Sequence, residues 1–384
     1  MKQLRQLFPS ACIATACAAA APGALASDIE DLRGEIEELR SQLDATVTLL
    51  EEQGSGTDHG HSADASTLGG YGELHYNNLD SGSELDFHRF VLFFGHRFSD
   101  RIRFASELEL EHALAEDTDN GSGPGAVELE QAVVEFDITD QFRVRGGLFL
   151  VPVGILNETH EPPTFYGAER NPVEKNIIPT TWWEGGAGLA GELAPGLAYD
   201  VAVTSGLKVP TTGSSAYKIR NGRQKVAEAS AESLAYTAKL AWTGLPGVEL
   251  AGSVQYQEDI TQGAKDVSAT LYEVHAVINQ GPFGLRALYA AWNLDGNDPK
   301  ASGRNKQNGW YVEPSWKPAP KVGLFARYSA WDNEAGSTAD TENKQTNVGV
   351  NFWPHEQVVL KADLQHQGGA GDDDGFNLGV GYYF

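Results

Sequence analysis

A set of cations stands out by type and position: Arg89, Arg97, Arg103, Arg143, Arg145, Lys239, Arg286, Arg327 and Lys361. Each lies at the polar parity of a stretch whose alternate positions are apolar. Phe90, Leu92 and Phe94 share one face, and Arg89 and Arg97 share the other. Cations fixed along one wall act on passing ions and polar solutes through their field, and arginine keeps its charge at any relevant pH. A second reading is that they neutralise acids of the same face, such as Glu107, Glu109, Glu135 and Asp137. The stretch 153–183 could supply the opposing charge. It carries Glu158, His160, Glu161, Glu169, Arg170, Glu174 and Lys175, with Pro162, Pro163, Pro172 and Pro179 to stiffen it.

Other chemistry finds less support. Hydrolysis needs a nucleophile beside a base that a third group orients. Ser106 and His112 share one apparent face of their stretch, but no partner is clearly placed to orient the histidine. His59 and His61 could catch a metal ion, yet they sit in a Gly/Ser-rich stretch without a third anchored ligand, so a solvated linker is expected. Cys12 and Cys17 are the only cysteines. No cofactor motif and no metal site are expected. The net charge of −25 argues against nucleic acid as a partner.

These residues need elements to position them. Lys2 and Arg5, an Ala-rich apolar run and Ala24-Leu25-Ala26 compose a secretory signal over 1–26. Its removal would take both cysteines. Cys17 as a lipid attachment site is the alternative. Residues 27–53 form a helical segment in which Ile29, Leu32, Ile36, Leu39, Leu43 and Leu50 make a heptad seam, predicting a periplasmic coiled coil. A helix lying on the protein's own surface is the other possibility. Residues 54–66 read as a flexible linker.

From Thr67 the period becomes two. Leu234, Tyr236, Ala238, Leu240 and Trp242 alternate with Thr237 and Lys239; Phe376, Leu378, Val380, Tyr382 and Phe384 alternate with Asn377, Gly379 and Gly381. Short links, such as Ser99-Asp100 and Gly281-Pro282, alternate with longer polar stretches at 77–84, 114–125, 153–183, 208–229, 258–266, 293–306, 332–343 and 367–375. The pattern predicts an all-β fold over 67–384: a sixteen-stranded antiparallel transmembrane β-barrel, preceded by the short coiled coil. Trp182 and Trp183 are expected to mark the return of 153–183 to the membrane interface.

Three stretches carry a family resemblance. They are Phe87-His88-Arg89-Phe90-Val91-Leu92-Phe93-Phe94-Gly95 with Arg97-Phe98-Ser99-Asp100, Gly146-Gly147-Leu148-Phe149-Leu150-Val151-Pro152-Val153-Gly154, and the last strand to Phe384. Over 67–384 the chain resembles the phosphate-selective porin O and P family. The resemblance implies a trimeric sixteen-stranded porin in the bacterial outer membrane, set among lipid and lipopolysaccharide. In general porins the third loop folds into the lumen; an external loop packed on its own barrel is the competing expectation. The reading is passive diffusion of small hydrophilic, charged solutes and no enzyme activity. An outer-membrane structural anchor and a lipid hydrolase stand as alternatives.

Overall fold

The computed structural model describes residues 65–117, 123, 125–139 and 141–384. The expected signal, the coiled-coil seam and the linker histidines lie outside the described residues. Sixteen strands are found among the described residues. They are β1 (Ser66–Leu79), β2 (Gly82–Ser99), β3 (Ile102–Glu111), β4 (Val127–Thr139), β5 (Phe142–Leu150), β6 (Trp183–Ala194), β7 (Leu197–Thr204) and β8 (Ala235–Leu245). The second half comprises β9 (Val248–Gln257), β10 (Ala269–Gln280), β11 (Phe283–Leu294), β12 (Lys306–Ala319), β13 (Val322–Asp332), β14 (Asn343–His355), β15 (Val358–Gly369) and β16 (Gly375–Tyr383). Every strand pairs with its sequence neighbours, and β1 pairs with β16, so the sheet closes and no edge remains. At the seam Gly70 and Phe384 exchange backbone hydrogen bonds of 2.9 and 2.8 Å.

The burial pattern is that of a membrane barrel. Phe94, Leu108, Phe136, Leu240, Val274, Leu324 and Leu364 are exposed on the outer face. Glu73, Arg89, Glu107, Ser253, Gln255, Arg327, Asn347 and Asp363 are buried. Strand alternation puts these two sets on opposite faces, so apolar side chains meet lipid and polar ones turn inward. No helix among the described residues is long and apolar enough to cross a membrane.

Among the described residues one end of the barrel carries two-residue links at 100–101, 195–196, 246–247, 281–282, 320–321 and 356–357, and β4 ends at Thr139 where β5 begins at Phe142. Gly196, Gly247 and Gly281 supply positive φ in three of them. The other end carries the long connections, with one correction. The stretch 77–84 is strand on both sides of a two-residue turn at 80–81, because Asn77↔Glu84 and Asn78↔Ser83 continue the ladder. Short helices lie in two long connections, α1 (Pro172–Asn176) and α2 (Asn297–Ala301).

Candidate functional site in the barrel lumen

The segment 151–182 between β5 and β6 meets side chains from strands around the circumference. His75 of β1 bonds the Glu169 carboxylate at 2.9 Å, and Asn77 bonds the same oxygen at 3.0 Å. Lys239 of β8 pairs with Glu158. Ser253 of β9 donates to the Pro152 carbonyl at 3.1 Å, and Trp292 of β11 to that of Ile177 at 3.0 Å. Tyr311 of β12 donates to Glu174 at 2.8 Å, and Asn351 of β14 to the Phe165 carbonyl at 3.0 Å. Only a segment inside a closed barrel can touch β1, β8, β11 and β14 together.

Glu174 organises this segment locally. Its fully buried carboxylate accepts the Ile155 and Leu156 amides at 3.1 and 2.5 Å. Asn171 caps α1 by accepting from the Glu174 amide at 2.9 Å. Burial pushes the Glu174 carboxyl up, and these donors oppose it. Glu161 has a smaller role: its carbonyl accepts from Thr164 at 2.9 Å to close a tight turn.

An apolar core holds the segment in place. Val153, Ile177, Ile178 and Trp182 pack with Leu207, Val209, Tyr217 and Ile219 of the connection 205–234, and with Leu271, Trp292 and Tyr311 of the wall. Burying each such side chain stabilises the packing by roughly 1.5–3 kcal/mol. Trp182 and Trp183 are therefore corrected: both are buried in the protein and neither reaches a membrane interface. The connection 205–234 also folds inward, packing on segment 151–182. Its apolar positions at 207, 209, 217 and 219 were the available signal.

The wall cations are mostly paired. Arg89 lies 2.7 Å from Glu73 and 3.4 Å from Glu109. Arg103 meets Glu135 and Asp137, both at 2.6 Å, and Arg143 meets Asp137 at 2.9 Å. Arg145 meets Asp200 at 2.8 Å and lies over the Phe149 ring. Arg327 pairs with Glu313 at 3.2 Å and donates to the Tyr166 and Glu169 carbonyls. Arg286 donates to the Thr164 carbonyl at 2.7 Å, and Lys361 lies 3.5 Å from the Phe165 ring centre. Arg97 is exposed and faces Arg103 in register. The neutralising role thus accounts for most of the wall, with loop anchoring for Arg286, Arg327 and Lys361.

A different set of cations lacks carboxylate partners. Arg170 donates to the Thr181 hydroxyl at 2.7 Å, while its Nε and Nη2 are buried without a partner. Arg220 donates to the carbonyls of Lys175 and Thr180 at 2.6 and 2.8 Å, and Arg223 donates to that of Thr181. None of the three has an ion pair among the described residues. All three, with Lys175, line a cavity of about 250 Å³ that Glu73, Arg89, Glu111, Glu128, Glu130 and Glu169 also line. Burial, then the Arg223 and Arg170 charges, push Arg220 down to about 9, so it remains cationic at neutral pH. Burial likewise lowers Arg170 and Arg223.

The hydrolase pair does not form. Ser106 donates to the Phe94 carbonyl, and His112 bonds Asp86 at 2.8 Å.

Comparison with known proteins agrees with this architecture. A relative from Aquifex aeolicus (strain VF5), described only as an uncharacterized protein, is 29% identical over 341 residues, covering 77% of this chain and 74% of its own. The outer membrane channel DcaP of Acinetobacter baumannii matches in fold with a TM-score of 0.57 at 13% identity, covering 85% of this chain and 100% of that one. An anion-selective porin from Comamonas acidovorans matches with a TM-score of 0.59 at 13% identity, covering 83% and 99%. The trimer form of OmpT from Vibrio cholerae gives 0.57 at 12%, covering 83% and 99%. Residues 66–375 match the phosphate-selective porin O and P family. With its closed sixteen-stranded barrel and lipid-facing outer surface, the chain belongs to that family and is a porin of the bacterial outer membrane.

Proposed function

We propose that this porin passes small hydrophilic anions by passive diffusion through a lumen narrowed by segment 151–182. The observation that carries the reading is that Arg170, Arg220 and Arg223 share one cavity and none of them forms an ion pair among the described residues, although Glu73, Glu111, Glu128, Glu130 and Glu169 line the same cavity. Wall arginines are cancelled by glutamate and aspartate, and Glu73, Glu128 and Glu169 of the same cavity are paired with Arg89, Lys225 and His75, so the three loop guanidiniums set the preference. At about 4 Å in water one fixed charge stabilises a passing anion by about 1 kcal/mol, a factor of roughly five. Reversal potential in a potassium chloride gradient tests the reading. A non-conducting but folded barrel would favour a structural anchor.

The assembly we propose is a homotrimer in lipid and lipopolysaccharide, by analogy with the trimer form of OmpT. The heptad seam of 27–53 is proposed to hold the chains together on the periplasmic side, after cleavage of the signal.

A further inference from the structure

Three inward side chains meet where segment 151–182 crosses β3 and β4. The Nε2 of His160 lies 3.4 Å from Glu107 Oε1 and 3.6 Å from Glu130 Oε2. All three residues are almost fully buried. A protonated imidazole bound to a carboxylate through N–H should sit about 2.7–2.9 Å away. One N–H also cannot serve two oxygens well. Both separations are too long for that arrangement. They match the roughly 3.3 Å between neighbouring ligands of a tetrahedral cation bound at about 2.0–2.1 Å.

The surroundings point the same way. Glu130 Oε2 has no hydrogen-bond partner despite its burial, an unfavourable state unless something occupies the site. Glu107 is held by its other oxygen, which accepts from Gln131 at 2.7 Å, as a ligand's outer partner would hold it. A bulge produces this geometry. Glu107 pairs with Gln131 and Leu108 with Leu129, so Glu130 is the extra residue and joins the inward set. Two carboxylates and a neutral imidazole carry a charge that a dication cancels. Glu130 also borders the cavity of about 250 Å³, on whose lining Glu111 and Glu128 join it, and these acids give a cation a route in. By contrast, Asp86 holds His88 and His112 at 3.0 and 2.8 Å, ordinary hydrogen-bond lengths.

We propose that Glu107, Glu130 and His160 bind a divalent transition cation that clamps segment 151–182 to the β3–β4 wall. Oxygen and imidazole ligands suit zinc or manganese, and binding displaces any proton on His160. The test is calorimetric titration of zinc chloride into the EDTA-stripped full chain carrying His59→Gln and His61→Gln. One zinc per chain is expected. His160→Gln and Glu130→Gln should each weaken binding at least about 100-fold, and Gln131→Ala by roughly 10–100-fold. His112→Gln should change nothing. Heat-modifiable migration on gels checks folding; if His160→Gln fails it, Glu130→Gln and Gln131→Ala decide. No zinc binding, binding indifferent to the folded variants, or binding lost in His112→Gln alone would overturn the proposal.

Discussion

Glu174→Ala should release the first half of segment 151–182 without opening the barrel wall. The carboxylate accepts from two backbone amides at 3.1 and 2.5 Å, from Tyr311 at 2.8 Å and from Asn171 at 3.3 Å. Alanine leaves the amides of Ile155 and Leu156 and the Tyr311 hydroxyl buried and unsatisfied, at about 1–3 kcal/mol each. Relief of the carboxylate's own burial offsets part of this, so the net loss is about 3–5 kcal/mol. That multiplies the population of the released segment by roughly 10² to 4 × 10³. The strand ladder and the core around Trp182 and Trp292 stay intact, so the protein still migrates as a folded barrel. Single-channel recording should then show larger and noisier steps, and limited proteolysis should cut within 153–160. Glu174→Gln keeps one acceptor oxygen and can donate to Tyr311, so it should resemble wild type. Quiet, wild-type steps from a folded, protease-resistant Glu174→Ala barrel would refute the reasoning.

Three further outcomes follow. Burial alone would raise the Glu169 carboxyl, but the hydrogen bond and charge of His75 outweigh it and hold it below its ordinary value. A depressed acid stabilises the fold above its unfolded pKa and loses that contribution as pH falls through the folded value. Protease resistance of the segment should therefore hold above about pH 4.5 and decline below it, and Glu169→Gln should abolish that dependence. Deleting Phe384 removes both backbone bonds to Gly70 across the β1–β16 seam, and heat-modifiable gels should show midpoint unfolding at lower temperature than wild type. Deleting 28–53 should convert a trimer into monomers by light scattering while leaving the barrel folded; monomers in both forms would contradict the coiled-coil role.

The outer face was legible because lipid and strand geometry act on every second residue, as Phe90, Leu92 and Phe94 illustrate. The strand count followed, since two-residue links leave compact turn signals at Pro195-Gly196 and Gly281-Pro282. Strand ends were less visible. Asn77 and Asn78 have the composition of a loop, yet they lie in the ladder because strands continue past the apolar band. Charge pairing was hidden because it depends on register: Arg89 meets Glu73 only once β1 and β2 are aligned. Trp182 misled because buried and interfacial tryptophans look alike in sequence. The meeting of Glu107, Glu130 and His160 required a bulge, which reverses parity beyond it and leaves no compositional mark.

Ion selectivity tests the central claim most directly. In a potassium chloride gradient across a planar bilayer, the purified porin should give a reversal potential of the sign for chloride preference. Replacing Arg170, Arg220 and Arg223 together by glutamine should lower the chloride-to-potassium permeability ratio by at least about tenfold, at roughly 1 kcal/mol for each charge. A cation-selective wild type, or a folded triple variant with unchanged reversal potential, would contradict the account.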